Sequence, residues 1–311
     1  VDILLIFAGG IGNTILFGPT LRRLRDACPR ARIDAYVYRS AFADPFRESG
    51  LIDQFHVHDS VFTAFDLRRR GYDVSITAFP SNRWMHNVWA WGVGARRRIT
   101  HRYPVGTYRT LRFLQTDTVP ADPSLHDVEQ NLNLLDPLDI ELPDTPDLFF
   151  HLEDSHREFA EQFLDRHGLN DRHVIGVHPG AGPLDWKRAP EDRFVDEIRR
   201  RRTSRSAVLV FGGPDETSLK TRFRTRITRT LDLPAHSVNT SLKHTAALVA
   251  TCDEFVTNDT ALNHIASAMK VPSVVFFCGT NPDRTRPWHD GGEVVQIDPP
   301  RSRYPFHATH W

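Results

Sequence analysis

Val1-Asp-Ile-Leu-Leu-Ile-Phe7 runs into Ala8-Gly-Gly-Ile-Gly12, and Thr14 to Ala27 follows with apolar positions at Ile15, Leu16, Leu21 and Leu24. A short apolar run closed by glycines reads as a strand buried on both faces, and apolar spacing of three to four reads as a helix. Strand, tight glycine loop and helix together make the opening unit of a parallel α/β sheet.

The same rhythm continues outward. Ala31 to Tyr38, Gln54 to Val57, Tyr72 to Ala78 and Arg97 to Thr100 read as further strands, and Val128 to Leu135 as a helix. A stretch rich in Pro and Asp, Asp136 to Asp147, interrupts the pattern and marks the expected boundary between a domain over residues 1–150 and another over 151–311. Beyond it the rhythm restarts. Glu153 to His167 reads as a helix, Val174 to His178 as a strand, Pro179 to Pro183 as a glycine loop, and Pro190 to Arg202 as a helix. Then come the strand Ala207 to Phe211, the loop Gly212 to Glu216, helices Ser218 to Thr230 and Lys243 to Ala250, the strand Glu254 to Thr257, the helix Ala261 to Met269 and the strand Ser273 to Phe277. Two such series predict two doubly wound, Rossmann-like domains, with ligands held beyond the carboxyl ends of the strands in a cleft between them.

Composition narrows the function classes. With 311 residues and 40% apolar content the chain can bury two ordinary cores. Lys plus Arg equals Asp plus Glu at 39 each, so no global charge argues for nucleic acid. Cys28, Cys252 and Cys278 lie far apart without CxxC spacing, and no HxxxH falls on a clear helix, which argues against a disulfide framework or a metal site and favours a reducing cytoplasm. The apolar opening is too short to span a bilayer and has no basic flank, while its start at Val rather than Met suggests processing. There is neither a P-loop nor a GxSxG elbow.

Asn258-Asp-Thr-Ala-Leu-Asn-His264 sits between an expected strand and an expected helix. Free amides and the helix dipole at such a junction suit a diphosphate, and Asp259 or Thr260 equally suits a plain N-cap. Lys187, in Trp186-Lys-Arg188 downstream of His178-Pro-Gly-Ala-Gly182, can act as a point charge on a phosphate, with Arg188 as a bidentate clamp; a solvated basic loop is the alternative. Gly9-Gly-Ile-Gly12 is a degenerate dinucleotide loop, and Asp34 stands at about the right distance for a ribose-binding acid, so a nicotinamide oxidoreductase is one reading. The runs Arg68 to Arg70, Arg96 to Arg98 and Arg199 to Arg202 read as lipid-phosphate contacts or as solvated helix ends.

In their order, these motifs resemble glycosyltransferase family 9, the heptosyltransferases that build the inner core of lipopolysaccharide. The matching pieces begin with the strand Ile3 to Phe7, Gly10-Ile-Gly12 and Pro19 to Leu24, and continue with His178 to Ala181, Lys187-Arg188, Phe211 to Glu216 and Thr240 to Leu242. The most specific is Thr257-Asn-Asp-Thr260 with His264, Ala266 and Val271-Pro272. The resemblance implies a GT-B fold, acceptor binding mainly in the N-terminal domain around Gly10, Gly12 and Asn13, and a nucleotide-diphospho-sugar in the C-terminal domain. It implies inversion at the anomeric carbon without a metal. By the match, Lys187 contacts the donor phosphates, Asp259, Thr260 and Ala261 hold sugar and diphosphate, and His264 supports that corner, with His178 and Arg188 on the donor side.

Relatives usually carry Gly-Asp after the first strand, the aspartate being the proposed base, whereas here the pair is Gly12-Asn13. A carboxamide is no proton acceptor near neutral pH. Asp44 and His178 are the replacement bases that the sequence offers. The usual Asp-Ser/Thr-Gly is Asp259-Thr-Ala261 here. The expectation is an inverting transferase that takes an ADP-linked sugar, a heptose among the candidates, to a saccharide or glycolipid acceptor. No cofactor is expected, nor any nucleic-acid partner, and transient contact with the inner membrane face follows from the basic surface near Arg96 to Arg102. A donor-binding relative that has lost transfer is the second expectation.

Overall fold

The computed structural model describes residues 1–60, 62–104, 110–142 and 147–299. Its contacts divide into two compact units, Val1–His151 and a second that starts at Leu152. Within the stretch read as the boundary, residues 143–146 lie outside the described residues, as do 300–311 of the C-terminal domain.

In the first unit, β1 (Asp2–Phe7), β2 (Arg32–Val37), β3 (Gln54–Val57), β4 (Val74–Thr77), β5 (Arg97–Arg102) and β6 (Asp117–Pro120) form one sheet in the order β3-β2-β1-β4-β5-β6. Every pairing is parallel. The apolar run of β1 has a direct cause. Ile3, Leu5 and Phe7 enter one core with Phe17, Leu21 and Leu24, while Leu4 and Ile6 enter another with Ala64, Leu67, Trp89 and Val93. Successive side chains of a strand point to opposite faces, so a strand covered by helices on both sides is apolar throughout.

The second unit repeats the plan with β7 (His173–His178), β8 (Ser206–Val210), β9 (Ala235–Ser237), β10 (Glu254–Asn258), β11 (Ser273–Cys278) and β12 (Gly292–Asp298). Its order is β12-β11-β10-β7-β8-β9, again all parallel. Ile175 and Val177 of β7 pack with Phe194, Val195 and Ile198 of helix Glu191–Arg201 and with Phe223 and Ile227 of helix Thr217–Leu231. Both sheets therefore change winding direction beside their first strand, between β1 and β4 and between β7 and β10. At such a point the loops from adjacent strands leave toward opposite faces and open a crevice at the carboxyl ends.

Three strands escape the sequence pattern. β6 and β9 are short edge strands, and β12 mixes exposed and half-buried residues without a buried one. The expected helix Thr14 to Ala27 is two helices, Ile11–Leu16 and Gly18–Ala27, broken at Phe17 because Pro19 has no N–H to offer the preceding turn. The expected loop Ala8 to Gly12 is correspondingly shorter. Gly10 is already the N-cap, and Gly12 and Asn13 lie in the first helical turn.

Candidate donor site

The carboxyl ends of β7 and β10 lie side by side, with His178 in register with Thr257. His178 is buried, and both of its ring nitrogens are engaged. Nε2 lies 3.0 Å from Glu216 Oε2, and Nδ1 lies 3.1 Å from Thr260 Oγ1. This occupancy leaves no nitrogen to take an acceptor's proton, so the geometry does not favour His178 as a base. Thr260 is the N-cap of helix Ala261–Ala268, as one reading of the sequence had it, but its side chain makes no capping bond to the helix. Ala261 is the helix's first residue.

Glu216 is a site residue that motif reading passed over. Besides His178, its carboxylate accepts hydrogen bonds from the amides of Gly182 at 2.9 Å and Gly213 at 2.8 Å. Burial pushes this carboxyl upward, but the hydrogen bond and charge of His178 and the two amides outweigh it, and the group is held down to about 2. The loop after β7 admits this only because residue 180 is glycine: a Cβ there would sit 2.0 Å from Glu216 Oε1. A usable signal existed in the sequence. Gly212-Gly-Pro-Asp-Glu216 follows β8 as Pro179 to Pro183 follows β7, and in a doubly wound sheet these loops are neighbours.

Lys187 Nζ lies 2.9 Å from Asp259 Oδ2. The pair joins two segments 72 residues apart. Burial opposes ionisation of Asp259, yet Lys187 and the nearby His264 bring its pKa below the ordinary carboxylate value. His264 is itself pushed down to about 4, by burial foremost and by the Lys187 charge, against the pull of Asp259. It is therefore neutral near pH 7, and among the described residues its Nδ1 has no hydrogen-bond partner. Arg188 does not join this group in the expected clamp. Its guanidinium pairs with Asp185 of the same turn, 3.0 Å away.

Asn258 holds the frame. It is fully buried, its Oδ1 accepts from the Ala189 amide at 2.9 Å, and its Nδ2 donates to the Gly180 carbonyl at 2.7 Å. One carboxamide thus fixes both ends of the loop that carries Lys187. Buried Lys220 does the same for the loops after β8 and β9, donating to the carbonyls of Gly212 and Val238 and to Asn239. The result is an ammonium, a helix start without a side-chain cap, and two carboxylates held ionised at one crevice. Such a set can hold a phosphate group by charge while its carboxylates accept from hydroxyls.

In the first unit, Asn13 packs against Gly9, where a Cβ would lie 2.3 Å from Asn13 Nδ2. Among the described residues its carboxamide has no hydrogen-bond partner. Asp44 lies 3.6 Å from Arg47. Asp34 does not fit a ribose-binding acid. It sits in the middle of β2 rather than at its end, is fully buried, and is taken up by Tyr72, Arg32 and His56. No three His, Cys, Asp or Glu side chains gather as a metal-binding set among the described residues, and none of the described helices is long and apolar enough to cross a membrane.

Comparison with known proteins places this geometry. The sequence profile of glycosyltransferase family 9 (heptosyltransferase) matches residues 64–304. Lipopolysaccharide heptosyltransferase 3 of Escherichia coli K12 is 24% identical over 299 residues, covering 92% of this chain and 84% of that protein. Among solved structures, the glycosyl transferase family 9 protein of Veillonella parvula superposes with a TM-score of 0.80 at 22% identity, over 95% of this chain and 86% of that one. The E. coli ADP-heptose lipopolysaccharide heptosyltransferase II gives 0.77 at 19% identity, over 95% and 90%. The fold is that of the GT-B glycosyltransferases, and by the extent of the profile match the chain belongs to glycosyltransferase family 9, the heptosyltransferase family.

Proposed function

We propose that this glycosyltransferase moves a heptose from an ADP-linked donor to a saccharide or glycolipid acceptor, with inversion and without a metal, in transient contact with the inner membrane face. The observation that carries the donor half is the pairing of Lys187 with Asp259 beside the Glu216–His178–Thr260 chain, all at the winding reversal of the second sheet. Support for the choice of ADP and heptose comes from the relatives, one of which is described as acting with ADP-heptose.

Attack of an acceptor hydroxyl on the anomeric carbon forms the new C–O bond as the bond to the diphosphate breaks. Negative charge grows on the leaving phosphates, where the Lys187 ammonium and the amides at the start of helix Ala261–Ala268 stabilise it. Lysine has three donors and spends one on Asp259, so the ammonium keeps two for phosphate oxygens. Asp259 and Glu216, both ionised, accept from donor hydroxyls.

The acceptor's proton needs a base, and Asn13 cannot serve. That observation favours a second reading, a donor-binding relative that has lost transfer. Mass spectrometry of acceptor incubated with ADP-heptose and EDTA tests the first reading, with NMR of the product anomer. A new glycosidic bond of inverted configuration in EDTA is the expected result. Retained configuration or loss of transfer on chelation contradicts it, and binding without transfer selects the second reading.

A further inference from the structure

Helix Trp84–Val93 is apolar on almost every side, and a helix of that kind is ordinarily buried all round. This one is not. Trp84 is 54% exposed and Trp91 42%, seven residues apart with half-buried Val88 between them, so they share one face of the helix. Its other residues, among them Trp89, Ala90 and Val93, enter the core against β1.

Beside it lies a second exposed stripe. Phe62, 68% exposed, caps the short helix Thr63–Asp66 and Phe65, 37% exposed, lies within it, and the helix continues into the turn Leu67–Arg70. Ala64 and Leu67 point into the core from that helix, leaving Phe62, Phe65 and Arg69 on the outer side. The stripes meet: the Phe65 and Trp91 rings stand edge to face, 5.9 Å between centroids, and Phe65 rests on Gly92. Phe65 and Trp91 thus join the two stripes, with Phe62 and Trp84 further along them. Scattered exposed hydrophobics need no explanation, but a contiguous patch does.

The surrounding charge identifies the occupant. Residues 62–98 hold seven arginines, no lysine or glutamate, and two aspartates, in a chain that as a whole has 39 basic and 39 acidic residues, so the remainder is net acidic. Arg68, Arg69, Arg70 and Arg96 are exposed, Arg70 lying 3.7 Å from buried Asp34 and Arg96 3.6 Å from Asp73, and Asp66 is exposed beside them. Tryptophan and phenylalanine at the depth of lipid headgroups, with arginines over the phosphates, is the chemistry of an interfacial membrane contact. A partner surface of protein would be expected to meet so many arginines with its own acids, whereas an anionic bilayer does so by composition.

We infer that the patch formed by Phe62, Phe65, Trp84 and Trp91 with its rim of arginines docks this protein on an anionic lipid bilayer. The inference extends the membrane contact within the proposed function. Its test involves no donor, acceptor or turnover, so its failure leaves the transfer reading standing.

The experiment is flotation of the whole chain with vesicles of phosphatidylglycerol and phosphatidylethanolamine, and with phosphatidylcholine alone, at low and high salt. The chain is expected to float with the anionic vesicles at low salt, with a blue shift of tryptophan emission, and to be released by salt. Phe62→Ser with Trp84→Ser is expected to weaken binding about tenfold or more, and Arg69→Gln about fivefold. Circular dichroism and thermal melts of the variants confirm that they fold. Failure to float with anionic vesicles, binding insensitive to salt, or binding unchanged in the variants overturns the inference. So does concentration-dependent dimerisation that the same variants abolish without any vesicle binding, which would make the patch an interface between copies of the chain.

Discussion

The imidazole of His178 lies 3.0 Å from the carboxylate of Glu216, and this contact ties the loop after β7 to the loop after β8. Glu216 is held down to about 2 in the fold against an ordinary 4.5. Its ionised form therefore stabilises the fold fully above about pH 4.5, and that contribution is lost as pH falls from 4.5 through about 2. Glu216→Gln cannot titrate. Thermal melts across that window are expected to show the wild type losing Tm faster than the variant, while at pH 7 the variant is less stable by about 1–3 kcal/mol. Parallel Tm curves would contradict this account of the His178–Glu216 contact.

Gly180 admits the Glu216 carboxylate, and a methyl group there would sit 2.0 Å from Oε1. Gly180→Ala must displace Glu216 from His178 and from the Gly182 amide. Its expected effect is a fall in nucleotide affinity together with the loss of the acid-range difference between wild type and Glu216→Gln. Calorimetry and the same pH melts read both.

Asn258→Ala leaves the Ala189 amide and the Gly180 carbonyl without their buried partner. At about 1–3 kcal/mol for each buried group left unsatisfied, the second unit should melt roughly 5–15 °C lower. Differential scanning calorimetry measures it. A change under about 1 °C would mean that water replaces the carboxamide without cost.

Asn13→Asp differs from the wild type by one atom of the same size, so its packing on Gly9 is preserved. Restoring a carboxylate at the expected base position should raise the transfer rate by about 10²–10⁴-fold and leave ADP affinity unchanged. Single-turnover transfer rates decide it. A rate unchanged or lowered would place the base elsewhere.

Much of the fold was legible because β1, β7 and β10 are buried on both faces, which writes an apolar run into the sequence. β12 is half exposed and β9 has three residues, so neither leaves a periodic signal. Glycine's low helix propensity suggested a loop as far as Gly12, yet the helix starts at Ile11, with Gly10 as its cap. Helix Trp84–Val93 was not legible in the sequence because its apolar residues do not gather on one face, and only the fold reveals which tryptophans lack cover. In the site, Asp259 and Thr260 were legible from the junction of strand and helix. Glu216 and Asn258 stood inside the motifs, but their roles were not legible, because they lie in bonds to residues 34 to 78 positions away that only the neighbouring loops of the sheet order bring together.

The donor site at the winding reversal of the second sheet is the central claim, and isothermal titration of ADP-heptose into wild type and Lys187→Ala tests it most directly. The account predicts saturable binding to the wild type, weakened about tenfold or more in Lys187→Ala by loss of a charge-assisted contact worth about 1.5–3 kcal/mol. Absence of binding to the wild type, or equal affinity in the folded variant, would contradict it.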